Sequence, residues 1–216
     1  MKRKTVAWWL GSFVALGLVS VSGTASAESP ETGALRRELH TYYEGEKSGA
    51  LQFALPGLVN VGVGSALLAS DTSDVGKGAA VPTVAFGAIE VVAGAVLFLR
   101  TDALLARLDR KLTLDPRGFH EEERAHLRRV QGQFDGLMAI EIAVTGLGAG
   151  LAAGGAFAKD STVQGVGVGL AVQSTVLFLL DATAADRSAR YLGALESFSL
   201  QKTANSGWML GYATRF

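Results

Sequence analysis

The chain has 216 residues, 49% of them hydrophobic, with 20 Lys and Arg balanced by 20 Asp and Glu and no cysteine. Zero formal charge, with no interleaving of aromatic and basic residues, excludes a general nucleic-acid binder, and the missing cysteine excludes disulfides. The 27 glycines, against 4 prolines, fall inside apolar stretches instead of polar linkers, which is how packed membrane helices and not disordered chains distribute them.

In chain order, Met1-Lys2-Arg3-Lys4 is a basic n-region, Thr5 to Val21 an apolar core, and Ala25-Ser26-Ala27 a small-residue cleavage site. Residues 1–27 therefore read as a secretory signal. Its loss removes three basic charges and leaves a slightly acidic mature chain. The alternative is an uncleaved first membrane helix, because the apolar core is near the upper length of a signal.

Residues 28–200 read as one membrane domain. Leu35, Leu39 and Tyr42 mark an amphipathic helix that leads into four apolar stretches, about 50–70, 78–99, 136–158 and 161–180. Each supplies the ~20 apolar residues a spanning helix needs. Short turns join the first to the second, at Asp71 to Lys77, and the third to the fourth, at Lys159-Asp160. The second and third are joined by Arg100 to Asp135, in which Leu104, Leu105, Leu108 and Leu112, then Leu127, Val130, Phe134 and Leu137, keep a helical period around a break at Asp115-Pro116. The expected fold is all-α: a four-helix integral membrane bundle of two helical hairpins, with amphipathic extensions on one side standing about 20 Å proud of the lipid. A shift of eighty positions lays Val96-Leu97-Phe98-Leu99 on Val176-Leu177-Phe178-Leu179, Arg107 and Arg110 on Arg187 and Arg190, and Gly87 on Gly167, the pattern of an internal duplication.

Charge and targeting disagree about sidedness. A cleaved signal puts the long connection outside the cytoplasm, yet that connection carries eight Lys and Arg, where the positive-inside rule expects few. An outer-membrane address removes the conflict. The C-terminal tail, 201–216, bears on it: Trp208, Leu210, Tyr212, Thr214 and Phe216 alternate and end the chain on an aromatic. This segment resembles the terminal strand signal of outer-membrane barrel proteins, although the continuous apolar runs elsewhere depart from the barrel pattern. The competing reading is an interfacial tail anchored by Trp208 and Tyr212, with Phe198 and Leu200 pairing back as a small hairpin.

Glu90 is the costliest residue in the sequence, since an acid in mid-span costs on the order of 3 kcal/mol and must face the bundle interior or find a partner. Asn60, Thr145 and Gln173 lie at similar depth and Glu141 somewhat nearer the extensions, so the five are expected to form an interior polar cluster. Its structural reading is interhelical hydrogen bonding; its functional reading is a proton or cation path through Glu90. Gly146, Gly150 and Gly154 on the third helix, and Gly165 and Gly169 on the fourth, repeat every fourth residue as flat ridges that are expected to pack those two helices together or, equally, to face a second copy of the protein.

Catalytic and metal motifs fail on spacing. His120 and His126 are six apart where a zincin pair needs four, and Glu123-x-x-His126 is half of a di-iron pattern with no second copy. No metal, cofactor or nucleophile is expected. The expectation is a non-enzymatic, structural or interaction protein of a bacterial-type cell envelope, with membrane lipid and a second copy or another envelope protein as partners. The alternatives are a small transporter or channel subunit that uses Glu90, and an outer-membrane-associated protein directed by its aromatic tail.

Overall fold

A computed structural model describes residues 30–70, 73–202 and 208–212. The signal and the terminal Thr214 and Phe216 lie outside the described residues. Four helices follow in order: α1 (Pro30–Ala69), α2 (Asp74–Leu114), α3 (Pro116–Ala158) and α4 (Ser161–Ser197). Two short strands, β1 (Phe198–Lys202) and β2 (Trp208–Tyr212), pair antiparallel with Phe198 opposite Tyr212 and Leu200 opposite Leu210. The chain thus leaves the helix at Phe198, slightly before the tail boundary read from sequence.

Local chemistry sets each helix end. Ser73 caps α2 by accepting from the Gly76 amide at 3.3 Å. Asp115 serves two helices at once: its backbone N–H donates to the Lys111 carbonyl at 2.8 Å, closing α2, and its carboxylate accepts from the Gly118 amide at 2.9 Å, opening α3. Pro116 takes the first helical position, where its missing N–H goes unneeded. At the other end Lys159 adopts a left-handed φ of 57° and Asp160 accepts from the Val163 amide at 3.0 Å, which turns the chain in two residues.

The helices are 40, 41, 43 and 37 residues long, which corresponds to about 60 Å for each, roughly twice the hydrocarbon thickness of a bilayer. All four are long and apolar enough to cross a membrane. α1 packs along α2 and α3 along α4, each pair antiparallel, and α2 lies against α4. The last pair runs parallel, because Gly165 abuts Val75 and Ala79 while Gly169 abuts Ala79 and Pro82.

Apolar side chains are distributed differently in the two halves. The buried core of large side chains, Leu35, Leu39, Tyr42, Tyr43, Leu108, Leu112, Phe119, Leu127, Tyr191, Leu192, Leu195 and Phe198, lies wholly in the charged half. In the apolar half Val59, Ile89, Val92, Leu99, Ile140, Ile142 and Phe157 point outward, from 61% to 90% exposed, while the inward contacts are glycine on backbone. Gly57 and Gly87 face each other across α1 and α2 so closely that a Cβ on either would lie 2.7 Å from the other's carbonyl oxygen.

α3 and α4 pack together as expected, but the regular glycine ridge on α3 does not make that contact. A Cβ at Gly146, Gly150 or Gly154 would meet nothing within 4 Å, whereas one at Gly148 would lie 2.5 Å from the Ala171 nitrogen and one at Gly155 2.4 Å from the Gln164 nitrogen. Two residues along a helix is a turn of about 200°, so the regular ridge points away from α4 and a less regular set makes the contact. On α4 the roles divide: Gly165 and Gly169 meet α2, and Gly167 between them meets Ala152 of α3. The eighty-residue shift does not carry over to the architecture either. The end of α1 at Ala69 and the start of α2 at Asp74 fall on 149 and 154, both inside continuous α3.

Candidate functional site

Three helices converge on Glu90. Its Cβ sits against Gly57 of α1, and its side chain is 1% exposed. Asn60 of α1 donates through Nδ2 to Glu90 Oε2 at 3.0 Å and to Gln173 Oε1 of α4 at 3.1 Å. One amide therefore ties α1 to both α2 and α4. Glu90 Oε1 has no hydrogen-bond partner.

Thr145 and Glu141 on α3 form separate contacts with α4. The Thr145 and Ser174 hydroxyls are 2.6 Å apart, and the Glu141 carboxyl lies beside that of Asp181. Of the five residues expected to cluster, Asn60, Glu90 and Gln173 are in direct contact; Thr145 and Glu141 reach α4 through Ser174 and Asp181. Neither of those two partners was singled out from sequence. Asp181 had a usable signal, because it lies four and eight residues beyond Leu177 and Gln173 on one helical face, one position past the apolar stretch. Ser174 had none, since a serine is cheap to bury.

Glu90, Glu141 and Asp181 line one cavity of about 410 Å³ between the four helices. Residues of the charged half, Tyr42, Glu46, Arg100, His126 and Arg187, line its other end. Glu46 accepts from Arg100 at 3.2 Å. Desolvation and the neighbouring arginines, Arg129 foremost, push the His126 imidazole below its usual range, with Glu46 pulling the other way.

The charged half holds a second buried acid. Glu123 of α3 is 3% exposed and accepts from the Tyr43 hydroxyl of α1 at 2.8 Å. Burial raises its carboxyl to about 7 against the opposing pull of the Tyr43 bond and of Arg107. Tyr42 stacks on Tyr191 at 4.7 Å and meets Tyr43 edge-on at 4.9 Å; burial raises all three phenols, Tyr42 to about 12, so they stay neutral. His120 Nε2 lies 3.0 Å from the Leu195 carbonyl oxygen. The residues of the half di-iron pattern are thus divided between a tyrosine bond and the cavity wall.

No protein-family model, curated protein or solved structure matches this chain.

Proposed function

We propose that the chain is a non-enzymatic integral membrane protein of a bacterial-type cell envelope, exported on residues 1–27, whose four helices cross the bilayer and carry an extracytoplasmic helical stalk. One observation carries the reading. Large apolar side chains are buried in one half of the bundle and turned outward in the other, an inversion that water would penalise and lipid would favour. The glycine-on-backbone contacts support it too, because helices in lipid associate through close packing. A structural or interaction role follows from the stalk, whose surface is laced with ion pairs such as Arg36 to Asp109 at 2.6 Å and Arg128 to Glu196 at 2.8 Å. The two hairpins share a construction, which keeps the duplication reading in coarse form without the eighty-residue register.

Cysteine substitution tests the placement without background, because the chain has no cysteine of its own. Single cysteines at Arg117 and at Lys159, probed with an impermeant thiol reagent in intact and in lysed cells, should label from opposite sides of one membrane. Labelling of both from the same side would overturn the four-span reading, and fractionation of inner from outer membrane assigns the address.

A second reading, a small cation- or proton-handling subunit that uses Glu90, is favoured by the cavity that joins Glu90 to the charged half. Beyond Glu90 the helices close on Gly64, Gly78, Gly155 and Gly165, which favours a blind site over an open pore.

A further inference from the structure

Among the described residues five buried side-chain polar atoms lack a hydrogen-bond partner, and three of them belong to residues that line this one cavity: Glu46 Oε2, Glu90 Oε1 and Glu141 Oε2. Glu46 engages Arg100 and Glu90 engages Asn60, each through one oxygen that leaves the other free, and Glu141 stands beside Asp181. Glu90 is 1% and Glu141 8% exposed, so bulk water does not serve them.

The free atoms define the chemistry of what is missing. A carboxylate oxygen accepts, so its absent partner is a donor or a cation; an anionic headgroup is excluded even though Arg100 and Arg187 stand at the other end of the cavity. Neither arginine donates to the free oxygens of Glu90 or Glu141. A bare divalent ion requires several converging oxygens, and no group of three or more such side chains converges among the described residues. Apart from Gln133 and the polar groups named above, the wall is apolar, with Phe53, Ala93, Leu97, Phe134, Leu137 and Leu177 among its residues.

We propose that the cavity binds an organic ammonium ion, a protonated amine with an apolar body, whose head donates to Glu90 Oε1 or Glu141 Oε2 and whose body lies along Phe53, Leu97 and Phe134. The volume, about 410 Å³, falls in the ~300–1,000 Å³ range of small-molecule sites. An ammonium needs only one or two carboxylates, and a dry apolar wall strengthens that pairing. The inference rests on the second reading above, in that both require Glu90 to meet a cation.

The test uses the full chain purified in nonionic detergent, with equilibrium dialysis against 4-phenylbutylamine, 4-phenylbutanol and magnesium chloride and a protein-free detergent blank. The amine should bind at one saturable site at least about tenfold more tightly than the alcohol, and Glu90→Gln and Glu141→Gln should each weaken the amine by about tenfold while leaving the alcohol unchanged. Ala93→Phe, which fills the wall without touching a carboxyl, should abolish amine binding; circular dichroism and gel filtration identify any variant that fails to fold, and the others then decide. Equal binding of amine and alcohol, displacement of the amine by stoichiometric magnesium, or wild-type affinity in the folded Gln variants would overturn the proposal. Proton flux in liposomes separates it from the reading it rests on. Amine binding without flux keeps the site and removes transport, whereas flux that depends on Glu90 with no amine binding keeps transport and removes this ligand.

Discussion

Glu123 illustrates how a single side chain couples the charged half of the bundle to pH. Its folded carboxyl titrates at about 7 against an ordinary 4.5, chiefly because burial penalises the charge. Folding therefore takes up a proton between those values, so the stabilisation is complete below pH 4.5 and is lost as pH rises through 7. The groups that face it are Tyr43, whose hydroxyl donates to it, with Glu46 raising and Arg107 lowering its titration. We expect the stability measured by denaturant unfolding to fall by on the order of 2–3 kcal/mol between pH 5 and pH 8. Glu123→Gln, which keeps an acceptor for Tyr43, should flatten that dependence; an unchanged slope in the variant would place the titration elsewhere. Sequence alone did not reveal this pair. Glu123 sits in a run of acids with the look of a solvated face, and only the arrival of Tyr43 from α1 sets it apart from Glu121 and Glu122.

At the scale of the element, glycine spacing and glycine packing separate. The regular ridge of Gly146, Gly150 and Gly154 attracts the eye, yet the side-chain positions on that face are empty, and the contact is made by Gly148, Gly155 and Gly167. Alanine substitution should therefore sort the glycines by face. Gly150→Ala should be neutral or stabilising by up to about 1 kcal/mol, since alanine is the better helix former. Gly167→Ala drives a Cβ to 2.2 Å from the Ala152 nitrogen, and thermal denaturation in detergent should show α3 and α4 destabilised by several kcal/mol or parted. The helix ends were far more legible, because capping is local: Asp115-Pro116 and Lys159-Asp160 break the chain where they stand in the sequence. Strand pairing at the tail was similarly readable from the alternation of Phe198 and Leu200 against Leu210 and Tyr212.

The whole molecule is held together by two different means. The charged half has a conventional core of leucine and aromatic side chains, and the apolar half has close backbone contacts with outward-facing Val, Ile and Leu. On the proposed placement, lipid stabilises the second half and hardly touches the first. Transfer from long-chain to short-chain detergent should therefore expose Ala152→Cys to thiol labelling before Leu127→Cys. Simultaneous exposure would mean that one cooperative core runs the length of the bundle.

The sequence by itself determined the four long helices, their breaks and the polar residues at mid-depth. Those follow from apolar run length, capping and the cost of burying charge, all of which act over a few neighbouring residues. Only the tertiary structure decided which face of each helix meets another, that Ser174 meets Thr145 and Asp181 stands beside Glu141, and that Glu46, Glu90 and Glu141 line one cavity. The reason is geometric: helix rotation and crossing are chosen by contacts between residues tens of positions apart, and a shift of two residues turns a packing ridge into a bare outer surface.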